Sequence, residues 1–150
     1  EIFIGFCYGW LPVASSYYIQ TATIDPMIHW LWMPIGFSIF NVILLNEYPD
    51  YEADVATGKR NLLVRIGKPA GKVVYIVFNL LTCLTMLLSP SVGVPFKVIY
   101  FYLPFIAIAL FIVWQMIKNR HEDARRLEIL CGLNIAVNVG TSLAFLLAYI

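Results

Sequence analysis

The sequence predicts an all-α integral membrane protein, and three observations carry that prediction. Of its 150 residues, 61% are hydrophobic and only 13% are charged, against roughly a quarter charged in ordinary soluble domains. Five apolar stretches, at about 2–19, 27–46, 71–89, 97–117 and 127–150, each approach the roughly 20 residues that cross a hydrocarbon core. The stretches run on without polar alternation, so they predict membrane helices and not barrel strands.

Polar or Pro/Gly-rich segments separate the five, and the basic residues among them are unevenly placed. Of the ten Lys and Arg, Lys59, Arg60, Arg65, Lys68 and Lys72 lie between the second and third stretches. Lys118, Arg120, Arg125 and Arg126 lie between the fourth and fifth, and only Lys97 falls elsewhere. Two spans separate the basic loops, so both emerge on one side, which the positive-inside rule makes cytoplasmic. The expected setting is therefore a bilayer, the inner (plasma) membrane of a cell. A net charge of +1 leaves no bulk field to recruit nucleic acid.

The first helix carries Gly5 and Gly9, a small-xxx-small pair that permits close helix contact. A turn at 23–26 leads into the second. Tyr17, Tyr18, His29, Trp30 and Trp32 then fall at the outer interface, as anchors, or alternatively as the wall of a lipid-tail path. The second helix is expected to run to about Leu45. Pro49 cannot donate to the Leu45 carbonyl, so a kink or stop is expected before it. Proline suits the first turn of a new helix, which predicts a short one over 49–57 with Gly58 as its C′ residue. The third helix is expected from about Gly71 to before Ser89-Pro90, and the fourth after Pro95. The fifth repeats small residues every four positions, at Gly132, Ala136, Gly140, Ala144 and Ala148, which predicts tight packing along its length. Asn41, Asn79, Gln115, Asn134 and Asn138 are intramembrane amides. They are expected to face the bundle interior, as interhelical hydrogen bonds or as a cavity lining. Cys7, Cys83 and Cys131 lie within apolar spans at no metal-binding spacing and read as buried free thiols.

The chemistry concentrates at 46–67. Asp50 and Asp54 stand four residues apart, on one face of the short helix over 49–57. Asn46 lies a further four upstream and joins them if the backbone stays helical, and Gly58, Lys59 and Arg60 follow. Carboxylate and amide oxygens are hard ligands suited to Mg²⁺, which takes one or two carboxylates together with substrate phosphates. Lys59 and Arg60 supply cationic donors for phosphate oxygens, and Arg65 and Lys68 add to the field. The competing reading is a solvated loop whose bases set topology and whose acids balance them. Its position at the mouth of a polar-lined apolar helix favours the metal and diphosphate reading.

The string N-x-x-x-D-x-x-x-D followed by G-K-R-x-L-x-V-R-x-G resembles the second aspartate-rich motif of the UbiA-type intramembrane prenyltransferases. Here it comprises Asn46, Asp50, Asp54, Gly58, Lys59, Arg60, Leu62, Val64, Arg65 and Gly67. The run P-V-A-S-S-Y-Y-I-Q-T at 12–21, with Glu1 ahead of it, is similar to the branch that prenylates 1,4-dihydroxy-2-naphthoate in menaquinone synthesis. Asn61 departs from the family, where threonine is usual after G-K-R.

The resemblance implies a bundle of about nine membrane helices, each crossing the hydrocarbon core, of which this chain is the C-terminal part. The N-terminal half, with the first aspartate-rich motif, is expected to lie outside it, which leaves the chain alone inactive. The sequence starts at Glu1 without Met and ends in an apolar run, in keeping with that expectation. The implied reaction is Mg²⁺-dependent transfer of a polyprenyl group from polyprenyl diphosphate to an aromatic acceptor. Asp50 and Asp54 are then Mg²⁺ ligands, Asn46 a further ligand, and Lys59, Arg60 and Arg65 diphosphate contacts. Other acceptors remain within the family: 4-hydroxybenzoate, homogentisate, haem or a lipid. The rival from a different class is a non-enzymatic transporter module. A transporter more readily shows broken helices and charges at mid-membrane, whereas Asp, Glu, Lys and Arg here avoid the span centres.

Overall fold

The computed structural model describes residues 2–150; Glu1 lies outside the described residues. Five helices form: α1 (Ile2–Thr21), α2 (Ile28–Ala56), α3 (Leu62–Leu88), α4 (Lys97–Ile117) and α5 (Ala124–Ala148). Short 3-10 turns at Ser89–Val92 and Arg120–Glu122 join α3 to α4 and α4 to α5. Four helices, α2 to α5, are long and apolar enough among the described residues to cross a membrane. The 20-residue α1 is helical as expected.

Helix α2 packs against α1, α3 and α5, while α4 bridges α3 and α5. The four spans thus close a ring, with α1 fastened to the outside of α2. Lipid is as apolar as leucine, so close packing and hydrogen bonds hold such a bundle, not exclusion of water. Both are visible. A Cβ on Gly9 would stand 2.7 Å from the Gly36 Cα of α2, so only glycine permits that crossing. Asn41 donates to the Tyr75 carbonyl at 3.2 Å, Asn79 to the Tyr75 hydroxyl at 3.3 Å, and that hydroxyl to Asn134 at 3.0 Å. Asn138 donates to Ser38 at 2.7 Å. Three of the five intramembrane amides, Asn41, Asn134 and Asn138, therefore tie helices together, as the first of the two sequence readings held, while Asn79 supports Tyr75 from within α3.

The small-residue stripe of α5 is only half used. Gly140, Ala144 and Ala148 are buried, and a side chain at Gly140 would overlap the Phe105 ring of α4. At Gly132 an added Cβ meets nothing within 4 Å among the described residues.

Two expected boundaries need correction. Helix α2 does not stop before Pro49; it is one helix of 29 residues. The proline removes the N–H that would bond to the Leu45 carbonyl, and the Cys131 thiol of α5 donates to that carbonyl at 3.7 Å instead. Nor does α3 wait for Gly71. It starts at Leu62, capped by Asn61, and breaks at Gly67, whose φ of +79° suits glycine alone. The expected helix at 97–117 is found unchanged.

The two basic loops lie at one end of the bundle. Lys72 donates to Asn119 at 2.7 Å, and His121 packs edge-on to Tyr48 at 5.4 Å between centroids. Met27, Gly93 and Tyr149 mark the other end, where the Tyr149 hydroxyl reaches the Met27 sulfur at 3.9 Å. Cysteines placed at Thr57 and Asn119 in the whole protein are therefore expected to react with an impermeant thiol reagent from the same side of the membrane. Labelling from opposite sides would contradict this topology.

Candidate functional site

At about 1.5 Å per residue, α2 is about 43 Å long, against a hydrocarbon core of roughly 30 Å. It exceeds that thickness by about 13 Å, and its last turns carry Asp50 and Asp54. Because the helix is unbroken at Pro49, Asn46, Asp50 and Asp54 keep one face on successive turns.

The end of α2 sets the course of the next segment. Thr57 is its C-cap and Gly58, at φ +72°, turns the chain back. The Gly58 N–H bonds to the Val55 carbonyl at 3.2 Å and the Lys59 N–H to the Asp54 carbonyl at 2.9 Å. This is a Schellman closure, and it confirms Gly58 as the C′ residue. It also swings the Lys59 side chain over the Asp54 carboxylate. The ammonium lies 3.0 Å from Oδ2 and 3.2 Å from Oδ1. Asn61 donates its amide to Oδ2 at 2.7 Å. Asp54 is buried, with 8% exposure, yet its charge is matched on the spot. The Asp54 hydrogen bond chiefly, with the fields of Asp54, Glu47 and Asp50, raises the Lys59 ammonium above the ordinary lysine range.

Asn46 and Asp50 face a cleft of about 470 Å³ between α2 and the start of α5, whose far wall includes Glu128 and Cys131. Arg60 and Arg65 are exposed, and Arg65 donates through Nε to the Arg60 carbonyl at 2.9 Å. Among the described residues neither guanidinium forms a salt bridge. Lys68 does not join this field as expected. It pairs with Glu52 at 2.9 Å and lies 4.6 Å above the Tyr51 ring.

The donor chemistry fits Mg²⁺: two carboxylates and an amide oxygen on one helix face. No group of three or more His, Cys, Asp or Glu side chains converges among the described residues. A carboxylate has about four acceptor positions. Three hydrogen bonds already reach Asp54, two from Lys59 and one from Asn61. The carboxylate can thus take a cation fully only when Lys59 turns elsewhere.

Sequence reasoning missed Asn61, Glu128 and His121. Asn61 had a local signal, an N-cap residue ahead of an apolar run. Glu128 is brought to Asp50 only by the α2–α5 packing. His121 is buried beside Tyr48 and lines a separate pocket with Lys68. Burial foremost, then the Lys72 charge, lowers its pKa below the usual 6.5. The unfolded chain then binds the proton first, so stability present above pH 6.5 is lost as pH falls through the depressed folded value. His121→Gln is expected to flatten that acid-side slope in the thermal midpoint; an unchanged slope would contradict the assignment.

The sequence profile of the UbiA prenyltransferase family matches residues 1–138. Over 70 residues, 47% of the chain, the sequence is 34% identical to the 1,4-dihydroxy-2-naphthoate octaprenyltransferase of Haemophilus influenzae. That stretch spans 23% of the length of this relative. No solved structure matches. With the carboxylate face, the Lys59 turn and the helical bundle all in place, the family match over most of its length settles its kinship: the chain belongs to the UbiA prenyltransferase family.

Proposed function

We propose that the whole protein transfers a polyprenyl group from polyprenyl diphosphate to 1,4-dihydroxy-2-naphthoate, in menaquinone synthesis. The reaction depends on Mg²⁺ and takes place on the cytoplasmic side of the inner membrane. The observation that carries this reading is the unbroken Asn46–Asp50–Asp54 face with an exposed cation, Lys59, already seated on it. The family match and the naphthoate-prenylating relative support the reaction class and the acceptor.

Asp50 and Asp54, with Asn46, would hold Mg²⁺, which supplies positive charge against the departing diphosphate. Lys59 releases Asp54 and takes a diphosphate oxygen. Its stem is free to do so, because the side chain is 57% exposed. Arg60 and Arg65 offer planar donors that fit phosphate bidentately. Together these side chains stabilise charge that grows as the allylic C–O bond breaks, which is where a fixed cation is most effective.

Further along α2, between α1 and α3, a second cleft offers room for the prenyl chain. Trp32 precedes Asp50 by 18 residues, five helical turns, or about 27 Å. Trp32, Gly36 and Phe78 line an apolar cleft of about 260 Å³. An isoprenoid tail laid along α2 from the diphosphate site reaches it, so that its distal isoprene units lie among apolar side chains.

The test is transfer of a labelled prenyl chain by the whole protein in membrane vesicles, with and without Mg²⁺, to 1,4-dihydroxy-2-naphthoate and to 4-hydroxybenzoate. Mg²⁺-dependent product with the naphthoate is expected. Product with 4-hydroxybenzoate alone would overturn the acceptor, and no product with either would overturn the reaction. Lys59→Ala and Arg60→Ala are each expected to raise the KM for prenyl diphosphate roughly tenfold or more. The KM for the acceptor should change far less.

A further inference from the structure

Asn61 uses one side-chain amide for two bonds. Its Oδ1 accepts the Val64 backbone N–H at 2.9 Å and so caps α3. Its Nδ2 donates to Asp54 Oδ2 at 2.7 Å. Capping requires only the acceptor, and aspartate, serine or threonine would serve the cap. The donor half adds nothing to the cap; it acts on Asp54 alone.

The two partners of Asp54 differ in how firmly they are held. Lys59 reaches the carboxylate from a long, largely exposed stem. Asn61 is half-buried and locked at its far atom by the α3 backbone. Helix α3 is itself fixed to α2 nearby. The Leu63 N–H bonds to Glu47 at 3.2 Å, and the Tyr48 hydroxyl bonds to the Lys68 carbonyl at 2.9 Å. When Lys59 leaves for a diphosphate, Asn61 is the partner that stays.

We propose that Asn61 is a positioning residue for Asp54: its capped amide holds Oδ2, so that the carboxylate keeps one orientation and Oδ1 is left for a cation after Lys59 has moved. The inference rests on the functional reading of Asp54 above. Asn61 touches neither metal nor substrate in this scheme and acts only through Asp54.

Three variants of the whole protein test it: Asn61→Ala, Asn61→Asp, and the exchange Asp54→Asn/Asn61→Asp. Without metal, Asn61→Asp keeps a cap acceptor but sets two carboxylates together, so its thermal midpoint is expected to fall. The exchange variant restores an amide–carboxylate pair and should recover the midpoint, though not turnover. Asn61→Ala is expected to raise the Mg²⁺ concentration for half-maximal turnover roughly tenfold, the size of a hydrogen bond to a charged group. A role in capping alone would lower the folded amount of Asn61→Ala without moving its Mg²⁺ dependence, and would leave Asn61→Asp like wild type. Either of those results, or an exchange variant that fails to recover the midpoint, overturns the proposal. Asp54→Ala is the companion measurement. Full activity there sinks the functional reading and this inference with it, whereas an inactive Asp54→Ala beside a fully active Asn61→Asp sinks the inference alone.

Discussion

Asp50→Ala and Asp54→Ala in the whole protein are each expected to lower Mg²⁺-dependent prenyl transfer by roughly 100-fold or more, the scale of losing one oriented group at a developing charge. Membrane insertion should be unaffected, since both residues lie in the last turns of α2, a helix longer than the hydrocarbon core is thick. The loss appears in turnover because the interaction with a departing diphosphate strengthens in the transition state. Asp54→Ala carries a further consequence: it leaves Lys59 and Asn61 without their shared acceptor. Glu52 is the internal control. It lies about 200° from Asp50 around the helix, and its carboxylate is 82% exposed and paired with Lys68. Steady-state turnover of the three variants checks the assignment. Near-normal activity in both aspartate variants with loss in Glu52→Ala would reverse it.

Gly140→Leu is the second large expected effect. Even a Cβ at Gly140 overlaps the Phe105 ring, so a leucine must push α4 and α5 apart. Overpacking of this kind costs about 3 kcal/mol or more where a ring cannot turn aside. The same contact lies next to the buried cluster of Met86, Val98, Tyr102, Ala144 and Ala148, with Phe105 packed on it. The whole protein in detergent is expected to lose several degrees of thermal midpoint and much of its assembled fraction. An unchanged midpoint would show that the helices part there without strain.

The sequence revealed the spans because lipid imposes length and continuity on every crossing segment. Helix α4 matched to the residue, since Pro95 and the polar run after Ile117 mark both of its ends. Pro49 misled for a definite reason: the bond it removes is replaced by Cys131, 86 positions along the chain. No local pattern can show that. Gly132 and Gly140 look alike in sequence, yet only Gly140 meets a neighbour among the described residues. In the site, the shared face of Asp50 and Asp54 was legible because a helix converts four-residue spacing directly into one, whereas Asn46 joins them only because α2 continues through Pro49. The Lys59 and Asn61 contacts with Asp54 were not, because they arise from the Gly58 turn folding back on α2.

The central claim, that this face of α2 binds a divalent cation together with a diphosphate, is tested most directly by a Mn²⁺ titration followed by electron paramagnetic resonance. The whole protein is used, with prenyl diphosphate present. Wild type and Glu52→Ala are expected to bind the ion alike, and Asp50→Ala and Asp54→Ala at least about tenfold more weakly, since even outer-shell changes cost that much. Equal Mn²⁺ binding in all four proteins would contradict the claim.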